Sequence, residues 1–141
     1  MSYDVFVFFS EHERTLLEAS RLTESIIGIQ IPTGDNPATY VLDVFLRLQH
    51  RYDGLVDREG LPFHDFCYQL EMTCASHGGH LIHQIGLYLA TEYSRRLGER
   101  SMITLAGIEL LGAVFEKGRI VVDHMSQHEN AHHPRPWKYL P

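Results

Sequence analysis

Hydrophobic and polar positions alternate from residue 3 to residue 9, with Tyr3, Val5, Val7 and Phe9 on one face and Asp4, Phe6 and Phe8 on the other. The pattern predicts a strand, and Phe6 with Phe8 predicts that both its faces are covered. Ser10 followed by Glu13 has the spacing of a capping box, in which hydroxyl and carboxylate each satisfy an orphan amide of a first helical turn. Leu16, Ala19, Thr23 and Ile26 or Ile27 then recur at helical spacing as far as Gly28, a residue suited to the left-handed end of a helix. A helix is predicted over 11–27.

Pro32 and the run Pro-Thr-Gly-Asp-Asn-Pro mark a loop. Asn36 as cap and Pro37 as first helical residue, followed by Tyr40, Val41, Val44, Phe45 and Leu48 in one stripe, predict a second helix to about Tyr52. Residues 53–65 hold two glycines, a proline and four acids, and read as a surface loop. Over 66–75, Tyr68, Leu70, Met72 and Cys74 alternate with Cys67, Gln69, Glu71 and Thr73, which predicts a half-buried strand with the two cysteines on opposite faces. Ser76 to Gly79 makes a turn. Ile82, Ile85, Leu89, Tyr93 and Leu97 then form a helical stripe that closes at Gly98 with Arg95 and Arg96 in the last turn, so a third helix is predicted over about 80–97. A buried strand over 102–106 and a hairpin over 113–122 around Glu116-Lys117-Gly118-Arg119 follow. The order β-α-α-β-α-β-β-β predicts an α/β (α+β) domain over 1–122, a single layered domain with helices packed on a mixed or antiparallel sheet, compatible with a ferredoxin-like sandwich. Residues 123–141, with four histidines and three prolines, are expected to be a tail.

Composition narrows the partners. The chain has 141 residues, 44% of them hydrophobic, with seven Phe, seven Tyr and one Trp, enough for one core. Eighteen acids against twelve Lys and Arg give a formal net charge of −6, which disfavours nucleic acid and anionic membrane and favours a basic partner. No export signal precedes the charged run Glu11-His12-Glu13-Arg14, and no apolar run approaches the roughly 18 residues of a membrane span. With two cysteines expected as free thiols, the expected compartment is the cytoplasm.

Candidate chemistry is sparse. His77, His80 and His83 stand three apart, but no further Cys or acid falls at a ligating interval, so no metal is expected. The histidines of the tail, His124, His128, His132 and His133, are expected to be solvated. Gly78-Gly79 before a helix offers amides to an anion, yet no Lys with Ser or Thr follows, as a phosphate loop needs. No serine lies in a Gly-x-Ser-x-Gly elbow. His64 and Asp65 with Glu71 are the one conceivable acid-base set. No catalytic residue and no cofactor is expected. The densest feature is the acidic loop, where Asp53, Asp57, Glu59 and Asp65, with Tyr52 and Phe63 as aromatic anchors, form the candidate surface for a basic partner.

The opening Met-Ser-Tyr-Asp-Val-Phe-Val, the segment 41–52 that ends in Arg-Tyr before an acidic loop, and the closing Val-Phe-Glu-Lys-Gly-Arg-Ile of 114–120 together resemble small bacterial immunity proteins of polymorphic or contact-dependent toxin systems. The resemblance implies a protein that binds a cognate toxin domain and blocks its active site or substrate cleft, without catalysis or cofactor. It carries over no binding residue position by position. A small-molecule-sensing or regulatory module and a small enzyme are the alternatives.

Overall fold

A computed structural model describes residues 2–32, 34–35, 37–41, 43–57, 61–75, 79–105, 108 and 110–124. The chain runs β1 (Ser2–Phe9), α1 (Leu16–Ile27), β2 (Ala38–Val41), β3 (Val44–His50), a short 3-10 turn (Phe63–Asp65), β4 (Tyr68–Ala75), α2 (Gly79–Leu97), β5 (Arg100–Leu105), β6 (Leu110–Glu116) and β7 (Arg119–Asp123). The fold is α+β, an open sheet of seven strands in the order β2-β3-β4-β1-β5-β6-β7, with every neighbouring pair antiparallel.

The predicted helix over 37–52 is two strands. Val44, Leu46 and Leu48 are buried while Phe45, Arg47 and Gln49 are only partly so, a period of two that the i, i+4 matches had masked. Val41 pairs directly with Val44. Thr39, Tyr40, Val41, Val44 and Phe45 are β-branched or aromatic, types that suit the pleated surface formed where β2 pairs with β3 and β3 in turn with β4. The first helix also starts later than expected. Thr15 and Glu18 repeat the cap spacing five residues on, with Glu18 N donating to Thr15 Oγ1 at 3.1 Å and Thr15 N to Glu18 Oε1 at 3.2 Å. Ser10 instead takes a left-handed φ of 66°.

α2 and α1 lie on one face of the sheet. There Val5, Val7 and Phe9 of β1 join Leu46, Leu48, Leu70, Met72, Ile82, Leu89 and Tyr93 in the main core. Phe9 stacks on Tyr93 with ring centroids 3.8 Å apart. The opposite face carries a second cluster, in which Phe8 and Met102 pack with Leu61, Phe63 and Phe66. Both faces of β1 are therefore covered, and the cover on the second face is the segment expected to be a solvated loop. Cys67 and Cys74 are not joined to each other in a disulfide, but they do not sit on opposite faces of one strand: β4 begins only at Tyr68, and Cys67 packs, as Cys74 does, against the helix-side core. The sheet also reaches into the expected tail, since Asp123 pairs with Ala113 and His124 N donates to Gly112 O at 2.8 Å. His128, His132 and His133 lie outside the described residues. No helix among the described residues is long and apolar enough to cross a membrane.

Candidate functional site

The loop that leaves β3 is fixed at its root before it reaches the surface. Tyr52 N donates to Oε1 of Gln69, a side chain of β4 that is 4% exposed, at 3.0 Å. Arg51 Nε donates to the Phe66 carbonyl at 2.8 Å, and its Nη1 to the Tyr52 carbonyl at 3.4 Å. Leu55 N closes a turn on the same Tyr52 carbonyl at 3.2 Å. Farther along, Leu61, Phe63 and Phe66 are sunk into the second-face cluster, with Phe63 and Phe8 rings 5.2 Å apart. Between these anchors the chain presents Tyr52, 67% exposed, and Val56, 72% exposed, alongside the exposed acids Asp53 and Asp57. An aromatic and an aliphatic side chain thus stand in water beside carboxylates, on a base that is itself packed.

The predicted site residues separate accordingly. Tyr52, Asp53 and Asp57 are at the surface. Phe63 is 0% exposed and belongs to the core, so the expectation of a surface anchor there is corrected: its side chain fills space against Phe8 and Met102. Asp65 is half-exposed but turned to Arg100 Nη2 at 2.9 Å. Asp57 Oδ1 accepts from His64 N at 2.8 Å, which ties the outer loop to the 3-10 turn. Glu59 and His77 lie outside the described residues, as does the side chain of His80; His83 is on α2. No group of three or more His, Cys, Asp or Glu that could hold a metal occurs among the described residues. The acid-base set is not assembled, because Glu71 pairs with Arg47 at 2.5 Å, His64 lies by Asp57 and Asp65 by Arg100.

A polar cluster at the end of the sheet where β1 finishes had no counterpart in the sequence patterns. Glu99 accepts from Glu11 N at 3.0 Å and Arg14 Nη2 at 3.3 Å, and its Oε1 is 2.8 Å from His12 Nδ1. Glu11 grips Arg100 through the backbone N at 2.6 Å and through Nε and Nη2 at 3.3 and 3.2 Å. Ser10 Oγ donates to the His12 carbonyl and accepts from Arg14 Nε, and Tyr68 Oη donates to the Arg14 carbonyl. Burial, then the neighbouring Glu13 carboxylate, pushes the Cys67 thiol pKa up, the reverse of what an activated nucleophile needs. Charges here are matched in pairs that tie the β1–α1 connection to the start of β5. Only the left-handed Ser10 distinguishes this segment, and no residue type in the sequence signals it.

An open groove of about 410 Å³ runs between α1, β2 and α2, lined by Ile26, Val41, Ile85 and Leu89 with Gln84 and Tyr88 as its polar side chains. No known family model, curated protein or solved structure matches this chain. Fold and surface thus define an α+β domain with a packed, acid-flanked surface loop.

Proposed function

We propose that this chain is an immunity-type protein that binds a toxin domain with a basic surface and blocks its active site or cleft. One observation carries the proposal: Tyr52 and Val56 stand exposed beside Asp53 and Asp57 on a loop whose root and far end are pinned to the sheet. Affinity comes from the two apolar side chains, and the carboxylates with the net charge of −6 set encounter rate and selectivity. Glu59, by its place in the sequence, adds to the same charge. The fold proposed with it is ferredoxin-like: β1-α1-β3-β4-α2-β5 follows the split β-α-β connectivity, with β3-β4-β1-β5 adjacent in that order, and β2, β6 and β7 extend the sheet. A small-molecule-sensing role has one observation in its favour, the groove between the helices, whose size suits a ligand; its lining offers only an amide and a phenol to orient one.

The test is co-expression with the toxin domain encoded beside its gene. The parent protein should restore growth and bind the domain, and Tyr52→Ala with Asp53→Lys should slow association, flatten its salt dependence and weaken protection while leaving thermal unfolding unchanged. Undiminished protection by that folded double variant, or none by the parent, overturns the proposal.

A further inference from the structure

Gly54 lies two residues beyond Tyr52, and a methyl group there would sit 2.5 Å from Tyr52 Cε1, 2.9 Å from Cζ and 3.1 Å from the phenol oxygen. These are the three nearest heavy atoms. Gly54 does not have a positive φ, so its backbone does not call for glycine. What the missing side chain accommodates is the Tyr52 ring, which rests on Gly54 by one side and stays 67% exposed. The backbone of Tyr52 is held on both sides, by Gln69 Oε1 at the N–H and by Arg51 and the Leu55 amide at the carbonyl. Hydrogen bonds thus fix the backbone of Tyr52, and its ring lies against Gly54.

We infer that Gly54 is a positioning residue of the docking loop: with no side chain of its own it lets the Tyr52 ring lie against the loop, a pose any larger residue would displace, ready for a cationic group of the partner. The inference rests on the proposed docking role of Tyr52 and adds the residue that sets its geometry. An exposed side chain ordinarily gives up rotamer freedom on binding, and a ring already seated gives up less. Because the obstructing atoms are the free end of one surface side chain, alanine at 54 is relieved by swinging the ring away, with the core untouched.

The test uses the full chain, the variants Gly54→Ala, Tyr52→Leu and both together, and an octa-arginine peptide at low ionic strength as probe. In the parent, the Gly54 α-protons should resonate upfield through the Tyr52 ring current and return to ordinary positions in Tyr52→Leu. Gly54→Ala should keep the parent's melting temperature, lose the contacts between the ring and residue 54, and bind the peptide ~2- to 5-fold more weakly, the scale of one exposed cation–π contact. In the Tyr52→Leu background the same alanine should change nothing, whereas a general effect on the loop would persist there. The inference is overturned if the parent lacks the ring-current shift, if Gly54→Ala binds as the parent does, or if its effect survives without Tyr52. Failure of the docking role has a different signature, since Tyr52→Leu and Asp53→Lys would then bind the peptide as the parent does while the ring-current shift persists; that result overturns the inference as well.

Discussion

Thr23 and Tyr93 meet inside the helix-side core, both with no exposure, their oxygens 2.6 Å apart. Thr23 Oγ1 also lies 2.8 Å from the Ala19 carbonyl, which can only accept. The threonine proton is therefore used on the helix backbone, and Tyr93 O–H donates to Thr23. Burial raises the phenol pKa well above its ordinary value, so that proton stays in place. The two deletions should differ. Thr23→Val strands a buried phenol donor and should cost ~1–3 kcal/mol, whereas Tyr93→Phe removes the donor, leaves Thr23 bonded to Ala19 and should cost about 1 kcal/mol. Urea unfolding of both variants checks the order, and a larger cost for Tyr93→Phe than for Thr23→Val would overturn the donor assignment. Gly86 makes the complementary case to Gly54. A methyl on Gly86 would sit 2.7 Å from Ile103 Cδ1 and 2.8 Å from Met72 Cε, between α2 and the sheet. Both neighbours are themselves buried, so neither can swing into water, and Gly86→Ala should lower stability by ~1–3 kcal/mol in the same measurement.

At the scale of elements, the turn between β6 and β7 places Lys117 at φ 52° and Gly118 at φ 84°, the two positive values of a type I′ hairpin. Lysine is not a residue that adopts this region readily. Lys117→Asn should therefore raise stability by up to ~1 kcal/mol, and Gly118→Ala should lower it by at least as much, since its methyl also meets Arg95 Cβ at 3.0 Å. Thermal melts of the two variants should move in opposite directions. This hairpin was legible because Lys-Gly interrupts two β-prone runs. α2 was legible because its stripe is long enough to hold only one period. The 37–52 segment was not: in a short stretch Tyr40, Val41, Val44, Phe45 and Leu48 satisfy the helical spacing while Val44, Leu46 and Leu48 satisfy the strand spacing, and only the hydrogen bonds of β4 decide between them. The site divides in the same way. The exposure of Tyr52, Asp53 and Asp57 could be read because a loop rich in acids and turn residues seeks water. Phe63 could not be placed, because Leu-Pro-Phe-His-Asp-Phe has no period and its burial depends on the uncovered face of a distant strand, β1. Gly54 carries its meaning only once the Tyr52 ring is on top of it.

Across the whole molecule, the connection between β1 and α1, the start of β5 and the end of the second-face loop are separate in sequence and are joined by Glu11, Arg100 and Asp65. Arg100 also lies over the Phe66 ring at 5.9 Å, so the ion pairs continue into the packing that holds the second-face loop down. Burial by itself would raise the Glu11 pKa, but the hydrogen bonds and charge of Arg100 outweigh it and hold the carboxyl below its ordinary range. A carboxyl whose pKa is lower in the folded than in the unfolded chain adds stability that is fully present above the unfolded value, near 4.3, and is lost as pH falls through the folded value. Neutral solution therefore has the whole contribution, and acid below about pH 4 removes it. Since Glu11 and Arg100 are both partly exposed, screening limits the amount to ~0.5–1 kcal/mol. Glu11→Gln should lower stability at pH 7 by about that much and should have a shallower loss than the parent between pH 5 and about 2.5. Urea midpoints across this range, in parent and variant, measure it. Parallel curves would show that Glu11 is not a carboxylate whose ionisation the fold depends on.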